Sequence, residues 1–201
     1  ADLLLVYAPE ASALEYAEDR GEELLMQPIT RDALVFLVNA DNPVTSLSQE
    51  EAVGIYSGEI TNWSELGGAD APIAVIGRDA ASGTRGAFEE IVGVEDQCVY
   101  TNEYESTGEV IGSVAGNPNA IGYASLSAVE GQEGITVLTV DGVAPSEATV
   151  LDGSYAIQRP FVFVTKTDGQ LSEAAQAFFD FATSTAANDL IAAAGAVPVA
   201  Q

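Results

Sequence analysis

Short apolar runs alternate with amphipathic stretches along most of the chain. Runs of leucine, β-branched and aromatic residues predict buried strands at residues 2–7, 24–29, 33–39, 73–77, 120–124, 135–140 and 161–166. Apolar positions three and four residues apart predict helices at residues 10–18, 49–56, 83–91, 109–114, 171–183 and 188–194. Strands and helices that alternate in this way are typical of the α/β fold class. The pattern therefore predicts an α/β protein.

The composition narrows the classes of function. The chain has 201 residues, of which 47% are hydrophobic, so it can bury a core of its own. Six cations against 31 carboxylates give a formal charge of −25, which argues against nucleic acid or an anionic membrane as a partner. The absence of histidine and the presence of one cysteine, Cys98, exclude Ser-His-Asp catalysis, Cys-His catalysis and an internal disulfide. We therefore expect no catalytic residue, no metal site and no cofactor.

The segment from Arg78 to Arg85 carries the strongest local signal for chemistry. A predicted strand ends in a short polar turn, and a predicted helix begins near Ser82. The N–H groups of a first helical turn lack partners within the helix, and the helix dipole favours negative charge there. Gly83 lets a ligand approach the backbone, while Ser82 and Thr84 add hydroxyl donors. Because arginines can donate paired hydrogen bonds to a tetrahedral oxyanion, the segment predicts an anion-binding site.

A purely structural interpretation of the same segment is also open. Ser82 would cap the helix, and Arg85 would pair with Glu89 one turn later. This interpretation does not explain a cation in the first turn, where it opposes the dipole, or the proximity of Arg78. The GxxxxGK[ST] loop of nucleotide-binding proteins is absent, and Ser82 lacks the GxSxG context and the nearby base of a hydrolase nucleophile.

Other residues that often carry chemistry are assigned mainly structural roles. Trp63 precedes a Gly-Gly turn, which is more typical of a packed anchor than of a stacking platform for a ligand. Arg31, Asp32 and Arg159 flank apolar strands, which indicates structural ion partners. Tyr7 ends the first predicted strand and fits a core position or a cleft position equally well.

Several segments, in this order and with this spacing, resemble the phosphate-binding proteins of bacterial ABC importers. They are Asn42-Pro43-Val44, Leu47-Ser48, the run IYSGEITNWSELGG from Ile55 to Gly68, Arg78 followed by Ser82-Gly83-Thr84-Arg85 and Phe88-Glu89, the run NAIGY from Asn119 to Tyr123, and the run RPFVFV from Arg159 to Val164. The NWSELGG and SGTR segments are specific in combination. The resemblance covers nearly the whole chain.

The resemblance implies a two-lobed periplasmic-binding-protein fold of type II, with a ligand cleft between the lobes. It places lobe 1 at residues 1–32 plus 157–201 and lobe 2 at residues 33–156, with crossovers near residues 29–36 and 154–161. The lobes of such proteins close on the ligand as a hinge, and the closed form docks on a membrane permease. The phosphate-contacting segment of the family corresponds to Arg78, Ser82, Gly83 and Thr84 here. Arg85 is expected as a second cation for the ligand.

Three departures from the family pattern qualify this expectation. The family's first lobe begins upstream with a Gly-Ser-Thr-rich turn that contacts the ligand, so we expect lobe 1 to be partial and its share of the ligand shell to be missing here. Ala80 stands where members of the family have a ligand aspartate, and Asp79 is the expected substitute. Tyr7 aligns with a second ligand aspartate of the family. Carboxylate acceptors favour hydrogen phosphate over sulfate, because only hydrogen phosphate brings a proton to donate. The expected ligand is therefore inorganic phosphate or a similar oxyanion.

The resemblance implies an extracytoplasmic solute-binding protein that captures phosphate and delivers it to the permease subunits of an ABC importer. We expect it to be a monomer with no enzyme activity, in the periplasm or as a cell-surface lipoprotein, although the chain begins without a recognisable signal peptide. The alternative is a sensor or interaction module that reuses the binding-protein fold without transport.

Overall fold

The computed structural model describes residues 3–7 and 11–199. The chain forms two compact units, which we call the terminal unit (Ala1–Asp32 with Arg159–Gln201) and the central unit (Ala33–Gln158). Residue 2 of the first predicted strand and residue 10 of the first predicted helix lie outside the described residues.

Strands and helices alternate along the described chain. The strands are β1 (Leu4–Tyr7), β2 (Leu24–Asn39), β3 (Ser46–Leu47), β4 (Ala74–Arg78), β5 (Asn102–Tyr104), β6 (Ala120–Ser125), β7 (Ile135–Val137), β8 (Thr139–Val140), β9 (Gln158–Lys166) and β10 (Val197–Pro198). The helices are α1 (Ala11–Glu18), α2 (Gln49–Tyr56), α3 (Gly83–Val92), α4 (Thr107–Ala115), α5 (Leu126–Val129), α6 (Glu147–Leu151), α7 (Glu173–Ala182) and α8 (Asn188–Ala193), with 3₁₀ turns at Trp63–Leu66 and Thr185–Ala187. The predicted α/β class is confirmed.

The central unit is built on a mixed sheet in which β6 lies between β2 and β4. β6 runs antiparallel to β2 and parallel to β4, and β5 adds to the far side of β4 in parallel. Helix α4 packs across β4 and β6. At Gly122 of β6 a Cβ atom would lie only 3.0–3.1 Å from Val114 and Val110 of that helix, so the close approach requires glycine. This arrangement places the loop after Arg78 at the carboxyl end of a sheet strand.

One long strand replaces two of the predicted ones. The sequence pattern predicts separate strands at residues 24–29 and 33–39, but β2 runs unbroken from Leu24 to Asn39. The polar residues at the predicted break stay extended because β10 pairs with them, in the register Arg31 with Val197 and Thr30 with Pro198. The Thr30 hydroxyl also donates to the Val197 carbonyl at 2.8 Å. Pairing with β10, from the far end of the chain, therefore keeps β2 continuous.

The predicted strand at residues 135–140 is also wrong in its extent. The chain forms β7 against β2 and then β8 against β3. The break falls at the fully buried Leu138, whose N–H donates to the Phe36 carbonyl at 3.0 Å. The sequence pattern does not predict β3, β5, α5, α6 or β10, which are two to five residues long and show little periodicity.

An aromatic cluster fills the core of the central unit. The side chains of Phe36, Tyr56, Phe88 and Tyr123 are each at most 1% exposed. The rings of Phe88 and Tyr123 stack with centroids 3.9 Å apart and planes 3° apart. This cluster joins α3 to the sheet, so the orientation of that helix depends on it.

The terminal unit carries the predicted ion pair. β1 runs antiparallel to β9, with Tyr7 opposite Phe161. A guanidinium nitrogen of Arg159 lies 3.0 Å from the Asp32 carboxylate, and both side chains are less than a tenth exposed. The structure therefore confirms Asp32 and Arg159 as structural ion partners.

Candidate anion-binding site

The loop between β4 and α3 is shaped by its own polar groups. The Asp79 Oδ1 accepts a hydrogen bond from the Ala81 N–H at 2.8 Å, and the Asp79 carbonyl accepts one from the Ser82 N–H at 3.1 Å. Ser82 is the N-cap of α3, and its Oγ accepts from the Arg85 N–H at 3.3 Å. This leaves the hydroxyl proton of the buried Ser82 as a further donor.

Arg78 stands at the end of β4, directly before this loop. Its Nη1 donates to the Thr107 Oγ1 at 2.9 Å and its Nη2 to the Glu105 carbonyl at 2.8 Å. Its backbone N–H donates to the Tyr123 hydroxyl at 3.2 Å. Its Nε is buried without a hydrogen-bond partner among the described residues. The guanidinium is therefore held in place by neutral oxygens, which fix its position without neutralising its charge.

Arg85 lies in the first turn of α3 and has charged partners. Its Nε lies 2.7 Å from the Glu89 carboxylate, and its Nη1 contacts the Glu103 carboxylate and donates to the Arg78 carbonyl at 3.0 Å. Burial alone would lower the pKa of Arg85, but the hydrogen bonds with Glu89 and Glu103 raise it above its ordinary value. The pair with Glu89 is the one that the structural interpretation predicts. The ligand contact that the resemblance implies for Arg85 stays a prediction.

Two tyrosines form the layer behind these arginines. The Tyr100 hydroxyl donates to the Glu89 Oε1 at 3.0 Å, and the Arg85 guanidinium carbon lies 4.7 Å from the Tyr100 ring centroid. Burial raises the pKa of both Tyr100 and Tyr123, so their hydroxyls stay protonated. Behind the Tyr100 ring lies Gly77, where any Cβ atom would overlap that ring.

The structure brings most of the predicted site residues into one turn. Arg78 ends β4, Asp79 and Ser82 lie in the loop, and Gly83 and Thr84 are the first two residues of α3. The N–H groups of a first helical turn point along the helix axis away from the helix body, and they lie at the positive end of its dipole.

Tyr7, the remaining candidate, lies in the terminal unit. The Arg159 guanidinium carbon lies 5.5 Å from the Tyr7 ring centroid and 5.2 Å from that of Phe161. The Tyr7 ring therefore has a cation–π partner within its own unit. Its contact with a ligand stays a prediction.

Four side chains that support the site are missing from the sequence-based candidates. They are Thr107, Tyr100, Tyr123 and Glu103. Thr107 begins a helix after the capping residue Ser106, and Tyr123 ends the NAIGY segment, but neither signal indicates a contact with Arg78. Only the fold brings these residues to the loop.

Other candidate sites of the described chain have no such donors. Trp63 is 1% exposed, and its Nε1 donates to the Asn119 carbonyl at 2.9 Å, which confirms the packed anchor. A pocket of about 350 Å³ in the terminal unit is lined by three glutamates, which would repel an anion, and by Leu14, Ala17, Gly21 and Leu24.

Neither a metal cluster nor a membrane span is found in the part of the chain that the structure describes. Its acidic and cysteine side chains form no group of three or more that could hold a metal ion. Its helices fall short of the length and apolar character that a bilayer crossing needs.

Comparisons with known proteins give a consistent result. The family described as "PBP superfamily domain" matches residues 1–186. The phosphate-binding protein PstS of Borreliella burgdorferi is 29% identical over 170 residues, which are 80% of this chain and 61% of that protein. The chain therefore spans less than two thirds of that curated relative.

Two solved structures are similar to this chain over all or nearly all of its length. A Clostridium perfringens protein, assigned as a phosphate ABC transporter substrate-binding protein and solved with bound phosphate, is 34% identical with a TM-score of 0.83, over 100% of this chain and 80% of that one. An ABC-type phosphate transport receptor from Vibrio cholerae is 29% identical with a TM-score of 0.85, over 98% of this chain and 80% of that one.

Proposed function

This chain belongs to the PBP superfamily, and we propose that it is a solute-binding protein that captures inorganic phosphate or a similar oxyanion. The bound anion would lie against the loop after β4 and the first turn of α3. Relatives of this family that are named for phosphate binding or phosphate transport support the choice of ligand.

The observation that carries the proposal is the state of the Arg78 guanidinium. It is aligned by the Thr107 hydroxyl and the Glu105 carbonyl, both of which are neutral. Its buried Nε has no acceptor among the described residues. A buried donor on a charged group is costly to leave unsatisfied. A bound oxyanion would supply both the missing acceptor and the opposite charge.

The first turn of α3 would provide the other donors. The Ser82 Oγ accepts from the Arg85 N–H through a lone pair, and its hydroxyl proton can be donated to a ligand. Gly83 and Thr84 would contribute backbone N–H groups, and Thr84 would add its hydroxyl. Donors of these types surround an anion at helix N-termini in many proteins.

Asp79 would contribute to ligand choice. Its Oδ1 already accepts from the Ala81 N–H, but a carboxylate has further lone pairs. We propose that these accept the proton of hydrogen phosphate, which sulfate lacks. Phosphate would then bind more tightly than sulfate, because an unprotonated oxyanion would face an unpaired carboxylate.

We further propose the biological setting that the relatives suggest. The protein would act outside the cytoplasm as a monomer and deliver its ligand to the permease subunits of an ABC importer. The alternative is a sensor or interaction module that shares the fold. Binding of the anion without any effect on an importer would favour that alternative.

Calorimetric titration with phosphate, and with sulfate in parallel, tests the proposed site. Arg78→Gln keeps hydrogen-bonding capacity but removes the charge, so phosphate binding should weaken by about tenfold to a hundredfold, the value of one charge-assisted hydrogen bond. Arg20→Gln removes the same charge from an exposed side chain over the Tyr16 ring and should leave binding within about twofold. Equal affinity of wild type and Arg78→Gln would refute the site.

A further inference from the structure

A cluster of three charged side chains lies beside the candidate site. It consists of Arg85 with the carboxylates of Glu89 and Glu103. At neutral pH one positive and two negative charges leave the cluster with a net charge of about −1. The Arg85 guanidinium also donates to the Arg78 carbonyl at 3.0 Å, which joins the cluster to the loop.

The two carboxylates of this cluster are not equivalent. The Glu89 side chain is 12% exposed and accepts from both Arg85 and the Tyr100 hydroxyl. The Glu103 side chain is 48% exposed and lies on β5 opposite Gly77, the residue before Arg78. Glu103 is therefore the charge of the cluster that can be changed with little effect on packing.

We propose that Glu103 sets the strength of anion binding by neutralising Arg85, so that Arg85 is a positioning residue and not a ligand. The inference rests on the proposed capture of an oxyanion by the loop. The affinity for the anion then depends on the net charge of the cluster, while Arg78 makes the direct contact with the anion.

The geometry explains why Arg85 would not reach the ligand. Its Nε and Nη1 are directed to Glu89, Glu103 and the Arg78 carbonyl, which lie on three different elements of the central unit. Three of the five guanidinium N–H donors are engaged in this way. Moving the guanidinium toward a bound anion would draw it away from two carboxylates, and one of them is mostly buried. An uncompensated buried carboxylate is strongly unfavourable.

The wild type and three variants separate the effect of the cluster's net charge from the effect of its contacts. Glu103→Gln keeps an acceptor for Arg85 and brings the net charge to zero, Arg85→Gln brings it to −2, and the double variant returns it to −1. For each unit of charge on the anion, one unit charge at about 8–10 Å changes the affinity by about fourfold to sixfold at an effective dielectric constant of about 40. The expected order of phosphate affinity is Glu103→Gln, then wild type with the double variant close to it, then Arg85→Gln.

Calorimetric phosphate titration of the full 201-residue chain measures this order. Glu90→Gln is the matched control, because Glu90 is an exposed carboxylate on the same helix outside the cluster. It should change phosphate affinity less than Glu103→Gln does. Circular dichroism checks that each variant is folded, and Arg85→Lys serves as a second variant that keeps the charge if Arg85→Gln unfolds. Arg85→Lys should then bind phosphate within about threefold of wild type.

The outcomes distinguish this inference from the proposed function. Tighter binding by Glu103→Gln and recovery in the double variant support it, since a purely structural role for Arg85 would produce neither. A double variant as weak as Arg85→Gln would make Arg85 a ligand or a structural brace and overturn the inference. Unchanged or weaker binding by Glu103→Gln would also overturn it. A wild-type chain that binds neither phosphate nor sulfate refutes the proposed function, and the inference with it.

Discussion

Gly77 offers a sharp test of the layer behind the anion-binding loop. A Cβ atom at this buried strand position would overlap the ring of Tyr100. That ring lies under the Arg85 guanidinium, and its hydroxyl donates to Glu89. Gly77→Ala therefore forces Tyr100 to move, and the movement disturbs the groups that hold Arg85.

The expected loss of stability follows from two opposing effects. Overpacking of a tightly packed core costs about 1–3 kcal/mol. The lower backbone entropy of alanine in the unfolded chain returns about 0.5–1 kcal/mol. Because the added Cβ atom would overlap the Tyr100 ring itself, the overpacking cost belongs in the upper part of its range. We therefore expect Gly77→Ala to lower the free energy of unfolding by about 1–2 kcal/mol. A domain of this size would lose about 2–4 °C in Tm for each kcal/mol.

Gly112→Ala is the matched control for this substitution. Gly112 is an exposed residue inside α4, where a Cβ atom would meet nothing within 4 Å, so alanine should stabilise the helix by about 0.5–1 kcal/mol. Denaturant unfolding followed by the fluorescence of Trp63, the sole tryptophan of the chain, reports on the central unit. Gly77→Ala at wild-type stability or above would refute the assigned packing of Tyr100.

Two further perturbations test other parts of the structure. Asp32→Asn removes the carboxylate that pairs with the buried Arg159 charge. It should lower the free energy of unfolding, measured by thermal or denaturant unfolding, by about 3–5 kcal/mol. A loss below about 1 kcal/mol would contradict the role assigned to this pair. Burial raises the pKa of the Cys98 thiol to about 11. Because the thiolate is the reactive form, iodoacetamide should alkylate Cys98 at pH 8 about a hundredfold more slowly in the folded chain than in guanidinium, and similar rates would contradict its burial.

Local sequence signals account for the elements that were predicted well. Helix α2 has the predicted bounds because a capping box begins it: the Ser48 Oγ accepts from the Glu51 N–H at 3.0 Å, and the Glu51 carboxylate accepts from the Ser48 N–H at 2.7 Å. The Ser82 cap and the pair of Arg85 with Glu89 are likewise contacts within one or two turns. Such contacts depend on spacing in the sequence and can be inferred from it.

Contacts between distant segments explain what the sequence did not reveal. The continuity of β2 depends on β10, which lies more than 150 residues further along the chain. The hydroxyl that orients Arg78 belongs to Thr107, and the second carboxylate of Arg85 belongs to Glu103. No periodicity links these residues, so the sequence revealed neither the hydroxyl that orients Arg78 nor the carboxylate that Glu103 places beside Arg85.

A phosphate titration followed by ¹H–¹⁵N NMR tests the central claim most directly. We expect saturable shifts that are largest for the backbone N–H groups of Ser82, Gly83 and Thr84 and for the Arg78 side-chain Nε–H, with smaller shifts for sulfate. The 20.8 kDa chain is small enough for such spectra. Saturable phosphate binding that leaves these four signals unmoved and shifts another region would contradict the account.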